Sequence, residues 1–245
     1  VSLRDTNAIT IGNGASSLTG NLTVQAGGDL TVANTVTSTG GDITLAGTNF
    51  INTAGATALT AGAGKRWLVY ANTHTGNNFG GLNSGNQAVW NTAYPTAVSQ
   101  AGKRYVFANN PGTLTVTSTN QSKTYGQDGA PIVANAYNVT GTFVNAATFG
   151  NVFTQDTIAN TVTGAATSTG SSVTANVAGS PYAIDLMPIV ATTGYTLTKD
   201  NTTGKLTVNP ASLTVTADAG KTKIYGNADP TLTYTSNAVN GDTFT

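Results

Sequence analysis

A stretch of eighteen residues occurs twice in this chain, and nothing else in the sequence restricts the fold as much. Residues 114–131 read LTVTSTNQSKTYGQDGAP, and residues 213–230 read LTVTADAGKTKIYGNADP. Leu114-Thr115-Val116-Thr117 aligns with Leu213-Thr214-Val215-Thr216, 99 residues later. Tyr125-Gly126 aligns with Tyr225-Gly226, and Pro131 with Pro230. Self-similarity at a fixed period marks a tandem array, and a period near 100 residues is that of a whole small domain. Each copy opens with Leu and Val alternating with Thr, the pattern of a half-buried strand. A Gly/Asn/Asp cluster and a proline then turn the chain.

Residues 1–60 follow a shorter period. Ile9-Thr10-Ile11 is followed 21 residues on by Leu30-Thr31-Val32, and 21 further on by Ile51-Asn52. A second row, Leu22-Thr23-Val24, recurs after 21 residues as Ile43-Thr44-Leu45. Gly28-Asp29 and Gly41-Asp42 stand just before two of these tripeptides. Short apolar-Thr-apolar strands in evenly spaced rows predict a β-solenoid, with apolar residues stacked inside and Thr outside. A meander of regular hairpins is the alternative. Antiparallel pairing of 9–11 with 30–32 would distinguish it.

Residues 61–112 are expected to cover the open end of that stack. Gly64-Lys65-Arg66-Trp67-Leu68-Val69-Tyr70-Ala71-Asn72 resembles Gly102-Lys103-Arg104-Tyr105-Val106-Phe107-Ala108-Asn109, and two such strands can pair. Between them runs a long Gly/Asn loop carrying His74, Phe79, Trp90 and Tyr94. A β domain over 113–210 follows, with strands expected at 142–144, 173–177, 182–184, 195–197 and 205–208. Residues 148–159 are the single helix candidate. Residues 211–245 begin a second copy, expected to lean on the preceding domain or to fray, because a two-stranded unit is marginal in water.

Composition narrows the chemistry. The 245 residues include no Cys, one His and no Glu, and 8 % are charged, against about 25 % in an ordinary domain. Thr, Val, Gly and Asn in excess favour strands and turns, so the class is all-β. Net charge is zero and the longest basic clusters are Lys65-Arg66 and Lys103-Arg104, which leaves no footprint for nucleic acid. No apolar run approaches the roughly 20 residues of a membrane span. Without Cys there is no disulfide framework and no thiolate metal site. The Asp residues are scattered beside Gly, Asn or Pro, where they cap turns. Glycoside hydrolysis needs two facing carboxylates, and His74 has no nucleophile beside it. No catalytic, cofactor or metal residues are therefore assigned. Flat ice-binding arrays are excluded too, since the Thr-x-Thr pairs recur once per 99 residues rather than once per rung.

Two sets of residues carry a resemblance. Asn49-Phe50-Ile51-Asn52-Thr53-Ala54-Gly55-Ala56, Arg66-Trp67-Leu68-Val69-Tyr70 and Asn77-Asn78-Phe79-Gly80-Gly81-Leu82 form the first; Lys123-Thr124-Tyr125-Gly126 and Lys223-Ile224-Tyr225-Gly226 form the second. Together they resemble filamentous-haemagglutinin-like exoproteins of bacterial two-partner secretion. The resemblance implies a right-handed parallel β-helix to about residue 60, its cap to 112, an MBG-type domain over 113–210 and the start of another over 211–245. It also implies an extracellular or Gram-negative cell-surface location, an outer-membrane secretion partner, and no shared catalytic residues. The expected role is that of a surface adhesin or biofilm-matrix stalk, monomeric, contacting host or matrix glycans or surface proteins. A carbohydrate-active enzyme and a purely mechanical spacer are the alternatives. Any ligand contact is expected at Phe79, Trp90 and Tyr94, on the longest loop; the competing reading has these rings packed down to seal the stack.

Overall fold

The computed structural model describes residues 1–243. The architecture is all-β, with seven small sheets among the described residues. Contacts divide the chain into two units. The first comprises residues 1–115, 139–163 and 190–198; the second comprises 116–138, 164–189 and 199–245.

The first unit opens with eleven strands. They are β1 (Ser2–Asp5), β2 (Ile9–Ile11), β3 (Ser16–Leu18), β4 (Leu22–Ala26), β5 (Leu30–Val32) and β6 (Val36–Ser38). Then come β7 (Ile43–Ala46), β8 (Phe50–Asn52), β9 (Leu59–Thr60), β10 (Trp67–Ala71) and β11 (Arg104–Phe107). Up to β10 every third strand joins the same sheet, and β11 then follows β10 directly, giving β2-β5-β8, β3-β6-β9 and β1-β4-β7-β10-β11, all parallel. Residues 9–11 pair with 30–32 in parallel, Ile9 opposite Leu30, so the hairpin meander is overturned. Leu22 stands opposite Ile43, the 21-residue step read from the sequence. The next step in the other row is 20 residues, with Phe50 opposite Leu30. That one-residue shift turns Phe50 and Asn52 inward and Ile51 out, because the side-chain period of a strand is two.

Inside, Val24, Leu30, Val32, Ile43, Leu45 and Phe50 are buried, while the Thr residues between them face outward. Parallel strands stacked about 4.8 Å apart also bring the corners together. A Cβ on Gly27 would stand 2.2 Å from the Thr6 carbonyl oxygen, and one on Gly41 2.3 Å from the Gly20 carbonyl carbon. Both corners need glycine for lack of space. The buried Asn52 side chain is satisfied: it receives the N–H groups of Ala54 and Gly55 and donates to the carbonyls of Gly55 and Phe79. The two similar strands of the expected cap, β10 and β11, pair in parallel and extend the first sheet beyond β7. Trp67, Tyr105 and Phe107 fill the interior there.

The rest of the chain forms β12 (Thr113–Ser118), β13 (Gln121–Thr124), α1 (Ala130–Val133), β14 (Tyr137–Gly141), α2 (Ile158–Thr161) and β15 (Val162–Thr163). These are followed by β16 (Tyr182–Ala183), β17 (Val190–Ala191), β18 (Thr196–Asp200), β19 (Lys205–Asn209), β20 (Val215–Ala217) and β21 (Tyr234–Ser236). The division between units falls within β12, β14 and β18. In the second unit β13 runs parallel to β19, and β16 runs antiparallel to it.

Several local expectations are corrected. Residues 142–144 are not a strand; the strand ends at Gly141, whose φ of +126° turns the chain, and Asn145 then caps a 3-10 turn by accepting the Ala147 N–H. Residues 173–177 are a turn leading into another 3-10 segment, Val177–Gly179, capped by the Asn176 side chain. In both places an Asn side chain competes for the backbone that a strand would use. The helix candidate 148–159 is mostly irregular; α2 begins at its very end. A short helix, α1, stands in addition, with Pro131 at its first turn, where a missing N–H is tolerated. Residues 211–243 do form two antiparallel strands, β20 and β21, and they lean on the preceding copy through the segment 239–242.

The corner packing makes a prediction. Gly27→Ala forces the Thr6 backbone to move and should cost about 1–3 kcal/mol, read as a lower thermal midpoint. Gly14→Ala, with nothing within 4 Å of its Cβ, is the control and should leave the midpoint in place.

Candidate functional site

The loop 72–101 was the expected site, and the structure separates its three candidate rings. Phe79 and Trp90 are buried, at 4 % and 6 % exposure. Phe79 lies edge-on to Tyr105 with centroids 4.7 Å apart, and also meets Phe149 and Phe153. Trp90 stacks on Phe107 at 4.7 Å and 28°, with His74 edge-on to it at 5.5 Å. Such offset and T-shaped pairs are the favoured aromatic geometries. Tyr94 alone is half-buried, edge-on to Tyr70 at 5.3 Å. The Tyr70 hydroxyl donates to the Thr96 carbonyl, fixing the turn that carries Tyr94.

A cleft of about 230 Å³ opens beside Tyr94, lined among others by Gln25, Thr48, Tyr70 and Asn72. These residues are remote in sequence but sit one strand apart, since Gln25 and Tyr70 both pair with Ala46 across the first sheet. None of the lining residues is charged. Amide, hydroxyl and phenol groups around a tyrosine suit a neutral, hydroxyl-rich ligand. A cleft without carboxylates offers no general acid or base for glycoside cleavage. Gln25, Thr48 and Asn72 were not assigned from the sequence, because the steps between successive strands of this sheet are unequal.

A second cleft, of about 390 Å³, is lined by Trp90 together with Gln87, Gln100, Arg104, Asn160 and Thr192. The Arg104 guanidinium is committed to the carbonyls of Gln87 and Ala101, at 2.7 and 3.0 Å. Partial burial, then the nearby Arg66 charge, lower its pKa. Close by, Asp156 is buried and accepts from the Tyr195 hydroxyl at 3.0 Å and from the Gln87 amide at 3.1 Å. The Trp90 indole N–H lies close enough to favour the same carboxylate without closing a hydrogen bond. Burial raises the Asp156 pKa, and these donors pull it back. Tyr195 in turn accepts the Val144 N–H at 2.7 Å. Every oxygen is held by structural donors, so the arrangement serves as a buried brace. Among the described residues no three metal-ligating side chains come together.

Fold and clefts together define an all-β protein with small polar surface clefts. Residues 213–245 match the family model for an MBG domain (YGX type). No curated protein and no solved structure matches the chain. Lys223-Ile224-Tyr225-Gly226 lies within the matched segment, while the first copy of the repeat lies outside it.

Two predictions follow from the aromatic packing. Trp90→Ala should cost about 3–5 kcal/mol, measured as a fall in the denaturant midpoint. His74 is partly buried among rings, and burial lowers its pKa from the usual 6.5. The folded state therefore binds this proton less readily than the unfolded state. Stability is fully present above pH 6.5 and lost as pH falls through the lower folded value. His74→Phe should flatten the slope of the thermal midpoint between neutral and mildly acidic pH.

Proposed function

We propose that this chain is part of a large secreted or surface-attached bacterial adhesin or biofilm-matrix protein, acting as an extended stalk without catalysis. In this reading the first unit holds rungs of a parallel β-helix, followed by MBG-type modules. The observation that carries it is the in-order parallel pairing of every third strand up to β10, in the same chain as an MBG-type segment. MBG domains are typical of large surface proteins. No helix among the described residues is long and apolar enough to cross a membrane. Export through an outer-membrane partner and a Gram-negative source belong to the same proposal and rest on the sequence resemblance.

The stalk binds neutral glycans through the Tyr94 cleft. Its support is the half-exposed ring ringed by Gln25, Thr48 and Asn72. A second reading, a mechanical spacer, is favoured by the burial of Phe79 and Trp90, which leaves little aromatic surface on that loop. Screening the chain and Tyr94→Ala on a glycan array decides between them. Binding that Tyr94→Ala weakens by roughly tenfold, about 1.4 kcal/mol, with an unchanged melting temperature, supports the glycan reading. Absence of binding by either protein leaves the spacer.

A further inference from the structure

The two Tyr-Gly turns of the repeat have the same backbone and opposite surroundings. In the first copy Tyr125 and Gly126 are the central residues of a turn closed by the Gln127 N–H on the Thr124 carbonyl at 3.0 Å, with Gly126 at φ +88°. In the second, Tyr225 and Gly226 sit in a turn closed by the Asn227 N–H on the Ile224 carbonyl at 3.1 Å, with Gly226 at φ +87°. A glycine with positive φ at the third position is what a type II turn requires.

The first turn is covered. The loop Val239-Asn240-Gly241-Asp242 rests on it, and three contacts hold it there. The Tyr125 hydroxyl donates to the Asp242 carboxylate at 3.1 Å. The Asn240 amide donates to the Val173 carbonyl at 2.9 Å, the same carbonyl that receives the Gly126 N–H at 3.0 Å. The Val239 side chain packs on Gly126 so closely that a Cβ there would stand 3.0 Å from it. The second turn has none of this: nothing lies within 4 Å of a Gly226 Cβ, and Tyr225 is fully exposed.

We propose that the Tyr-Gly turn is the docking site between successive repeats, and that Tyr225-Gly226 receives the Val-Asn-Gly-Asp loop of a further repeat in tandem on the same polypeptide. The inference rests on the stalk reading and adds how its modules are joined. The occupied turn shows the chemistry required of the partner: a methyl-bearing side chain for the bare glycine face, a carboxylate for the phenol, and an amide for the carbonyl beside it. The chain's other loop of this kind, Val139-Thr140-Gly141-Thr142, keeps the valine and glycine but has threonine in place of both the amide and the carboxylate. The docking chemistry thus belongs to the second copy of the loop and not to the first.

The test extends the full chain after residue 245 with a duplicate of its own residues 146–243, in register with the repeat. Two readouts are followed: hydrogen exchange of the Gly226 amide, which reports completion of the second module, and nitration of Tyr225 by tetranitromethane, which reports docking. The inference expects the Gly226 amide to become protected and Tyr225 nitration to slow to the rate of Tyr125 in the parent chain. It also expects replacement of the aspartate in the appended loop by alanine to restore Tyr225 nitration while the Gly226 amide stays protected. A protected Gly226 amide with Tyr225 still nitrated at the parent rate overturns the docking role and leaves the modular stalk standing. A Gly226 amide no better protected than in the parent overturns the tandem-module reading, and the docking role with it. Protection of Tyr225 that appears in the parent chain as its concentration rises assigns the loop to a second molecule, which overturns the tandem arrangement.

Discussion

The first unit depends on close backbone approach at its corners. Neighbouring strands of its parallel sheets lie about 4.8 Å apart, and the corners that join them approach as closely. Gly27 over Thr6, Gly41 over Gly20 and Gly62 over Thr39 leave no space for a side chain. With those contacts in place, Leu30 and Val32 fall over Ile9 and Ile11, and Ile43 and Leu45 over Leu22 and Val24. A bulkier corner would separate the strands and lose the ladder and the apolar stack together.

Later turns of chain are longer, and the interior changes to match. The step from Ile43 to Trp67 is longer than that from Leu22 to Ile43, and the step from Leu68 to Arg104 is longer again. Aromatic side chains take over from aliphatic ones along the same sheet, with Trp67 and Tyr105 edge-on at 5.2 Å. The long insertion between β10 and β11 therefore supplies much of its own packing, through Phe79, Trp90 and His74, and presents the half-buried Tyr94 at one cleft.

In the second unit one motif is seen in two environments. Lys123 is buried, and its ammonium donates to the carbonyls of Gln127, Ser171 and Ser172; burial lowers its pKa. Lys223, at the matching place, is exposed and pairs with Asp229 at 2.5 Å, an exposed ion pair of small value. Leu114 and Val116 are buried where Leu213 and Val215 are half exposed. Local sequence makes the turn in both copies. What covers the turn comes from chain far away.

The sequence by itself determined the all-β class, the parallel rows and the Tyr-Gly turns, because these depend on alternation, turn chemistry and spacing over a few residues. Leu22-Thr23-Val24 and Ile43-Thr44-Leu45 pair in the register their spacing implies. The third row, β3-β6-β9, was not legible: Ser16-Ser17-Leu18 lacks the apolar-Thr-apolar pattern, and its steps are uneven. Nor was the inward turn of Phe50, since a one-residue change of step exchanges inside for outside. Tertiary structure alone decided which aromatics are buried, because Phe79, Trp90 and Tyr94 look alike in sequence and differ only in what reaches them. It also brought Gln25, Thr48 and Asn72 beside Tyr94, through stacking contacts that no local pattern encodes.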